Sequence, residues 1–130
     1  MVDEDNISEF RTITGIETDD LTVDAGWQVN LLGTARGDVK VLAGARFYLG
    51  GVQAGALLVD EGGEAVVRGR LDGGIGRNDG VIVVAEGAFI GHLVMGSKGL
   101  EQPQSGATYT VTNDTPTHRI RGTGHSLTFD

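Results

Sequence analysis

A segment of about eighteen residues recurs along this chain, and glycine keeps the same places in each copy. Four segments align: LTVDAGWQVNLLGTARGD (21–38), VKVLAGARFYLGGVQAGA (39–56), LLVDEGGEAVVRGRLDGG (57–74) and VIVVAEGAFIGHLVMGSK (81–98). IGRNDG (75–80) reads as an insertion before the last. The first column holds Leu21, Val39, Leu57 and Val81, and the third Val23, Val41, Val59 and Val83. The ninth holds Val29, Phe47, Ala65 and Phe89, and the eleventh Leu31, Leu49, Val67 and then Gly91. Glycine recurs at the sixth column (Gly26, Gly44, Gly62), the thirteenth (Gly33, Gly51, Gly69) and the seventeenth (Gly37, Gly55, Gly73).

Apolar columns two residues apart have the period of a strand with one buried face, and no helical period is sustained over 21–99. The glycines fall between these pairs, where the chain must turn a corner and φ > 0 carries no penalty. One such coil cannot bury its inward row alone, but stacking at ~4.8 Å sets Val on Val in continuous columns. Phe47 and Phe89 would be balanced by Val29 and Ala65, as a narrow interior requires. A sandwich or barrel of hairpins also uses short strands and frequent turns, yet it gives no reason for glycine columns. The expected fold is therefore all-β: a β-solenoid of about four coils over 21–99, with an acidic N-terminal cap (1–20) and a C-terminal β-hairpin cap (100–130). In the N-terminal piece, Ile13 and Gly15 match the eleventh and thirteenth columns, which suits a partial coil; a short helix capped by Asn6 or Ser8 is the alternative. The C-terminal piece reads as strand ATYTVT, turn NDTP, strand THRIRG and a last strand HSLTF.

The wording of residues 57–99 resembles the repeats of bactofilins, bacterial cytoskeletal proteins. An aliphatic pair precedes EGG or EGA, and then V-x-G-x-L or I-G-x-L follows. The likeness is carried by Val59, Gly62, Val67, Gly69 and Leu71, then by Val83, Gly87, Ile90, Gly91 and Leu93. It implies a right-handed β-helix and, as a possible role, self-assembly into a scaffold.

Composition removes several functions. The chain has 130 residues, enough for one domain, and no cysteine, so neither disulfides nor thiolate metal sites are available. No apolar run is long enough to span a membrane, and the acidic start does not read as a signal peptide, so a cytoplasmic protein is expected. Net charge is −8, and residues 1–24 hold eight acids against one base, Arg11. Without a Lys/Arg stripe, nucleic acid is a poor partner.

No catalytic, metal or cofactor site is expected. His92 follows FIG but sits in the column of Leu32, Gly50 and Arg68, which faces outward. His118, His125, Ser126 and Asp130 share a window without the strand–turn–helix setting of a nucleophile. RNDG (77–80) with Asp72 offers oxygens to a cation but is first a turn signal. GGIGRNDG lacks the following helix of a phosphate loop. Arg68 and Arg70, with Arg46 one coil away, read as charge partners of Glu64 or Asp72.

Protein contact is what remains. The expected partner-binding residues are the acids Asp3, Glu4, Asp5, Glu9, Glu17, Asp19 and Asp20 with Trp27, or the inserted segment through Arg77, Asn78 and Asp79. Trp27 falls in the column of Ala45, Gly63 and Gly87, so it would either cap the first coil or anchor an interface. Tyr48, Val66 and Ile90 share a column that would form a part-exposed apolar strip. An acidic face suits a basic protein, as in an immunity-type inhibitor. Bactofilin-like self-assembly is the alternative.

Overall fold

The computed structural model describes residues 7–123 and 127–129. The calls on a partner for Asp3, Glu4 and Asp5, and on His125, Ser126 and Asp130, lie outside them. The described residues form strands, turns and loops without a helix. The first coil has two strands among the described residues, β1 (Glu9–Ile13) and β2 (Ile16–Glu17). Four complete coils follow, each with three: β3 (Leu21–Val23), β4 (Trp27–Leu31), β5 (Thr34–Ala35); β6 (Val39–Val41), β7 (Arg46–Leu49), β8 (Val52–Gln53); β9 (Leu57–Val59), β10 (Glu64–Val67), β11 (Arg70–Leu71); β12 (Ile75–Asn78), β13 (Val81–Ala85), β14 (Phe89–Ile90). Beyond them come β15 (Leu93–Gly96), β16 (Gly99–Glu101), β17 (Thr117–Arg121) and β18 (Thr128–Phe129).

Stacking of like strands produces three sheets, ordered β1-β4-β7-β10-β13-β17-β18, β16-β15-β14-β11-β8-β5-β2 and β12-β9-β6-β3. All pairs between coils are parallel, and the N-terminal piece is the partial coil rather than a helix. Leu21, Val39, Leu57 and Ile75 stack in one interior column, and Val23, Val41 and Val59 in the next. Val29, Phe47, Ala65 and Ile82 form a third, with Leu31, Leu49, Val67 and Val84 beside it. All of these are buried. Phe47 fits because the small Ala65 stacks directly on it.

The glycine columns have two different causes. Gly26, Gly44 and Gly62 hold φ of 85°, 78° and 85°, so the sixth column is the left-handed corner. The thirteenth column is glycine because of close approach: a Cβ on Gly33, Gly51 or Gly69 would lie 2.1, 2.0 or 2.1 Å from the carbonyl oxygen of the glycine one coil earlier. The seventeenth column is equally tight, with Gly55 and Gly73 abutting the backbone of Gly37 and Gly55. Outside the glycine columns, Asp20 and Asp38 extend the stacking: their carboxylates accept the N–H groups of Asp38 and Ala56, each one coil on, at 2.9 and 2.8 Å.

In the last coil the structure differs from the eighteen-residue count. The segment 75–80 is not an insertion but supplies β12, so Ile75 rather than Val81 continues the Leu21 column. A bulge at Gly76 adds one residue to β12. The following corner loses two: Asp79 and Val81 bond to the previous coil as Asp60 and Glu64 do, with one residue between them instead of three. The alternation therefore moves by one. Ile82, Val84 and Ile90 point inward, whereas Val81, Val83 and Phe89 are only half-buried. Phe89 lies instead under the Arg70 guanidinium, 4.7 Å from its ring centroid, and edge-on to Tyr109. The outer column of Tyr48 continues to Val83, not Ile90, and Val66 within it is buried rather than part of an exposed strip.

The C-terminal cap also departs from the expected hairpin. Residues 107–112 form no strand, and β17 pairs antiparallel with β13 instead, setting buried Ile120 against Ile82. β15 and β16 close the neighbouring sheet with a hairpin. Reversing strand direction ends the parallel stack at this end.

Candidate functional site at the N-terminal end

The first coil closes the other end differently. By register its inward positions are Arg11, above Val29; Ile13, above Leu31; and Glu17, above Ala35. Ile13 is buried, but Arg11 and Glu17 are polar and meet as an ion pair at 3.3 Å. An ion pair this exposed contributes only about 0–1 kcal/mol. Its effect is to roof an apolar tube with charge.

Apolar side chains ring this roof. The exposed large hydrophobic residues among those described are Phe10 (60%), Ile16 (63%), Trp27 (37%) and Leu32 (54%). Every one belongs to the first two coils. Phe10 and Ile16 occupy outward positions that later coils fill with Gln28, Arg46 and Glu64, or with Thr34, Val52 and Arg70. Trp27 stacks over Ala45 and Gly63, and the register shift brings Gly80, rather than Gly87, to the fourth place in that column. With Arg11, Thr22, Val23, Asp24 and Val29 it lines a cavity of about 150 Å³.

The acids expected at the interface divide. Glu9, Asp19 and Asp20 are exposed here, Asp20 holding the Asp38 N–H, and Asp24 stands on the cavity rim. Glu17 is committed to Arg11. Arg77, Asn78 and Asp79 are not beside them: β12 and β3 are the two edges of one four-stranded sheet, about 14 Å apart at the usual strand spacing. Arg77 binds Asp60 at 2.8 Å, and that hydrogen bond, with the Asp60 charge, raises its already high pKa. Asn78 donates to the carbonyls of Ile120 and Gly122 at 2.9 and 3.1 Å and so holds the C-terminal cap. Asp79 is exposed. Phe10 and Ile16 were missed by sequence reasoning; carrying the columns back one coil would have placed them outward.

Other features have internal roles. Arg70 pairs with Asp72 at 2.9 Å, Arg46 approaches Glu64 at 4.0 Å, and Arg68 donates to the Thr112 carbonyl. His118 bonds Glu86 at 2.7 Å. His92 is exposed, on the turn between β14 and β15 rather than in the Leu32 column, and borders a cavity of about 200 Å³ walled by Ile75, Ile90, Leu93, Leu100 and Leu127. Among the described residues no group of three His, Cys, Asp or Glu gathers as a metal site, and no helix is long and apolar enough to cross a membrane. Comparison with protein-family models, curated proteins and solved structures finds no match to this chain. The likeness to bactofilins thus rests on coil-building residues alone.

Proposed function

We propose that this chain is a non-catalytic protein-binding solenoid that docks a basic partner at its N-terminal end, in the manner of an immunity-type inhibitor. The observation that carries this reading is the segregation of Phe10, Ile16, Trp27 and Leu32 to two coils at an acid-bearing end. Apolar anchors within a charged rim are the usual composition of a transient interface. The test is capture of proteins from the native source on immobilised wild-type chain and on a Phe10→Ser/Ile16→Ser/Trp27→Ser variant. A basic protein held by the first and lost from the second, more weakly held at high salt, supports the reading. Identical capture by both overturns it.

Self-assembly is a second reading, favoured by one feature: β1, β2 and β3 are edge strands with no described neighbour on their N-terminal side. At the other end β15 to β18 continue two of the three sheets with reversed strands, which leaves β12 as the edge strand of the third among the described residues. Self-assembly through the N-terminal edges alone would stop at a pair, which light scattering at high concentration would detect.

A further inference from the structure

The register shift that turns Phe89 out of the core leaves it on the wall of a hollow in the flank of the solenoid. Val52, Arg70 and Phe89 share one outward column, and Gly50 and Arg68 share the corner column beside it. Between the two lie Gly51 and Gly69, which abut the coil before them and place no side chain on the surface. Gly87, with Tyr109 and Val111 from the segment after β16, completes the lining. The hollow measures about 340 Å³, within the range of small-molecule sites. Every residue lining it belongs to the described part of the chain.

Two guanidinium groups and two aromatic rings line this hollow, and each is held in place. Asp72 takes the Arg70 Nε at 2.9 Å, and the Arg70 guanidinium lies 4.7 Å from the Phe89 ring centroid. Arg68 lies over the Tyr48 ring at 5.9 Å and gives a terminal N–H to the Thr112 carbonyl. Tyr109 meets Phe89 edge-on, with centroids 5.6 Å apart, and its hydroxyl accepts the Gln104 N–H at 2.9 Å. One hydrogen bond each leaves both guanidinium forks with N–H groups unused among the described residues. No acid lines the hollow among the described residues, although the chain carries a net charge of −8. Oriented guanidinium forks match the paired oxygens of a carboxylate. Aromatic walls over a floor of glycine suit a flat ring.

We infer that this hollow binds a small, flat aromatic acid. The ring lies against Phe89 and Tyr109 over the glycine floor, and Arg68 and Arg70 take the carboxylate. A simple anion would use the arginines but leave the rings in water, and a neutral ring would leave the guanidinium charges unanswered. This site goes beyond the docking reading above and does not depend on it.

The probe is 2-naphthoate, titrated into the full-length chain while amide resonances are followed by NMR. A ligand of this size should bind with a Kd of about 1 mM or tighter and shift the amides of 50–52, 68–70, 87–89 and 109–111 together. Arg68→Gln and Arg70→Gln should each weaken binding about tenfold. Val52→Phe, which fills the hollow from an outward strand position, should abolish it. Arg36→Gln makes the same charge change at an exposed arginine outside the hollow and should leave binding unchanged. Acetate and 2-naphthalenemethanol carry the two halves of the probe, and each should bind at least about tenfold more weakly. Absence of shifts at those four segments up to about 10 mM probe overturns the inference, and that arm needs only the wild-type chain. Equal weakening by Arg36→Gln overturns it too, since general charge would then be what is read. So does equal affinity for acetate, which marks an adventitious ion only, or for 2-naphthalenemethanol, which leaves the arginines without a part in binding.

Discussion

Gly51→Ala and Gly15→Ala change the same column of the solenoid and should have opposite consequences. A Cβ on Gly51 would sit 2.0 Å from the Gly33 carbonyl oxygen and 2.6 Å from that of Leu32. Carbon and oxygen approach no closer than about 3.3 Å in ordinary contacts, so two coils must separate by about 1.3 Å at this corner. That movement breaks the bonds that join them there, from Gly50 and Gly51 N–H to the Leu31 carbonyl and from Val52 N–H to the Gly33 carbonyl, at 2.8, 2.9 and 3.0 Å. Three such bonds, at about 1 kcal/mol each, with some loss of packing around Leu49, give a cost of about 3–5 kcal/mol. Gly15 has nothing within 4 Å of its hypothetical Cβ, because no described coil precedes it, and its φ lies outside the left-handed region. Alanine there should fall within about 1 kcal/mol of wild type, and it restricts the unfolded chain. Urea unfolding followed by far-UV circular dichroism measures both. Near-equal destabilisation of the two variants, or a Gly51→Ala cost under about 1 kcal/mol, would refute the close-approach explanation.

Three other substitutions test separate parts of the structure. Gln53 is fully buried in an interior column and donates to Ala56 at 2.8 Å, but its Oε1 has no partner, and the Ala56 carbonyl is also bonded by Val39 N–H. Gln53→Met, which keeps the volume and removes the unpaired acceptor, should raise stability by about 1 kcal/mol in the same urea titration. Asn78→Ala, by releasing the Ile120 and Gly122 carbonyls, should cost about 1–2 kcal/mol and speed amide exchange across 117–121 before it affects β6 or β7. Val84→Ser should destabilise by about 2–3 kcal/mol and Val83→Ser by under about 1, since only Val84 is interior; the reverse order would restore the unshifted register.

Coils from 21 to 74 were legible because each corner has the same length, so one count of eighteen carries every inward residue to its neighbour. The count failed where the corner changed. Asp60–Gly63 turns through a left-handed glycine, whereas Asp79–Gly80 turns without one, and no composition signal marks that two residues are gone. Because side chains alternate along a strand, the error of one residue exchanged inside for outside from Val81 onward. Gln53 escaped notice for a different reason: its column runs Ala35, Gln53, Leu71 and reads as mixed until backbone pairing stacks it. For the candidate site, charge placement pointed to the N-terminal end, and the repeat columns pointed to Trp27. Phe10 and Ile16 lie eighteen residues before Gln28 and Thr34, so carrying the repeat back one coil sets both in outward columns.

The two ends of the tube meet one physical requirement by unequal means. An apolar interior must be shielded at both ends. At the C-terminal end Ile120 lies fully buried over Ile82, a burial of about 2 kcal/mol, and β17 also occupies the edge hydrogen bonds of β13. At the N-terminal end the corresponding position is Arg11, whose exposed pair with Glu17 supplies about 0–1 kcal/mol and leaves Val23 and Val29 facing a cavity. Stability in a stacked solenoid is transmitted between neighbouring coils, so the less shielded end is the one that opens first and gains most from being covered. On the docking reading, a partner seated over Arg11 and Trp27 would do for the N-terminal end what β17 already does for the other. Binding and stabilisation of the first coil would then be the same event.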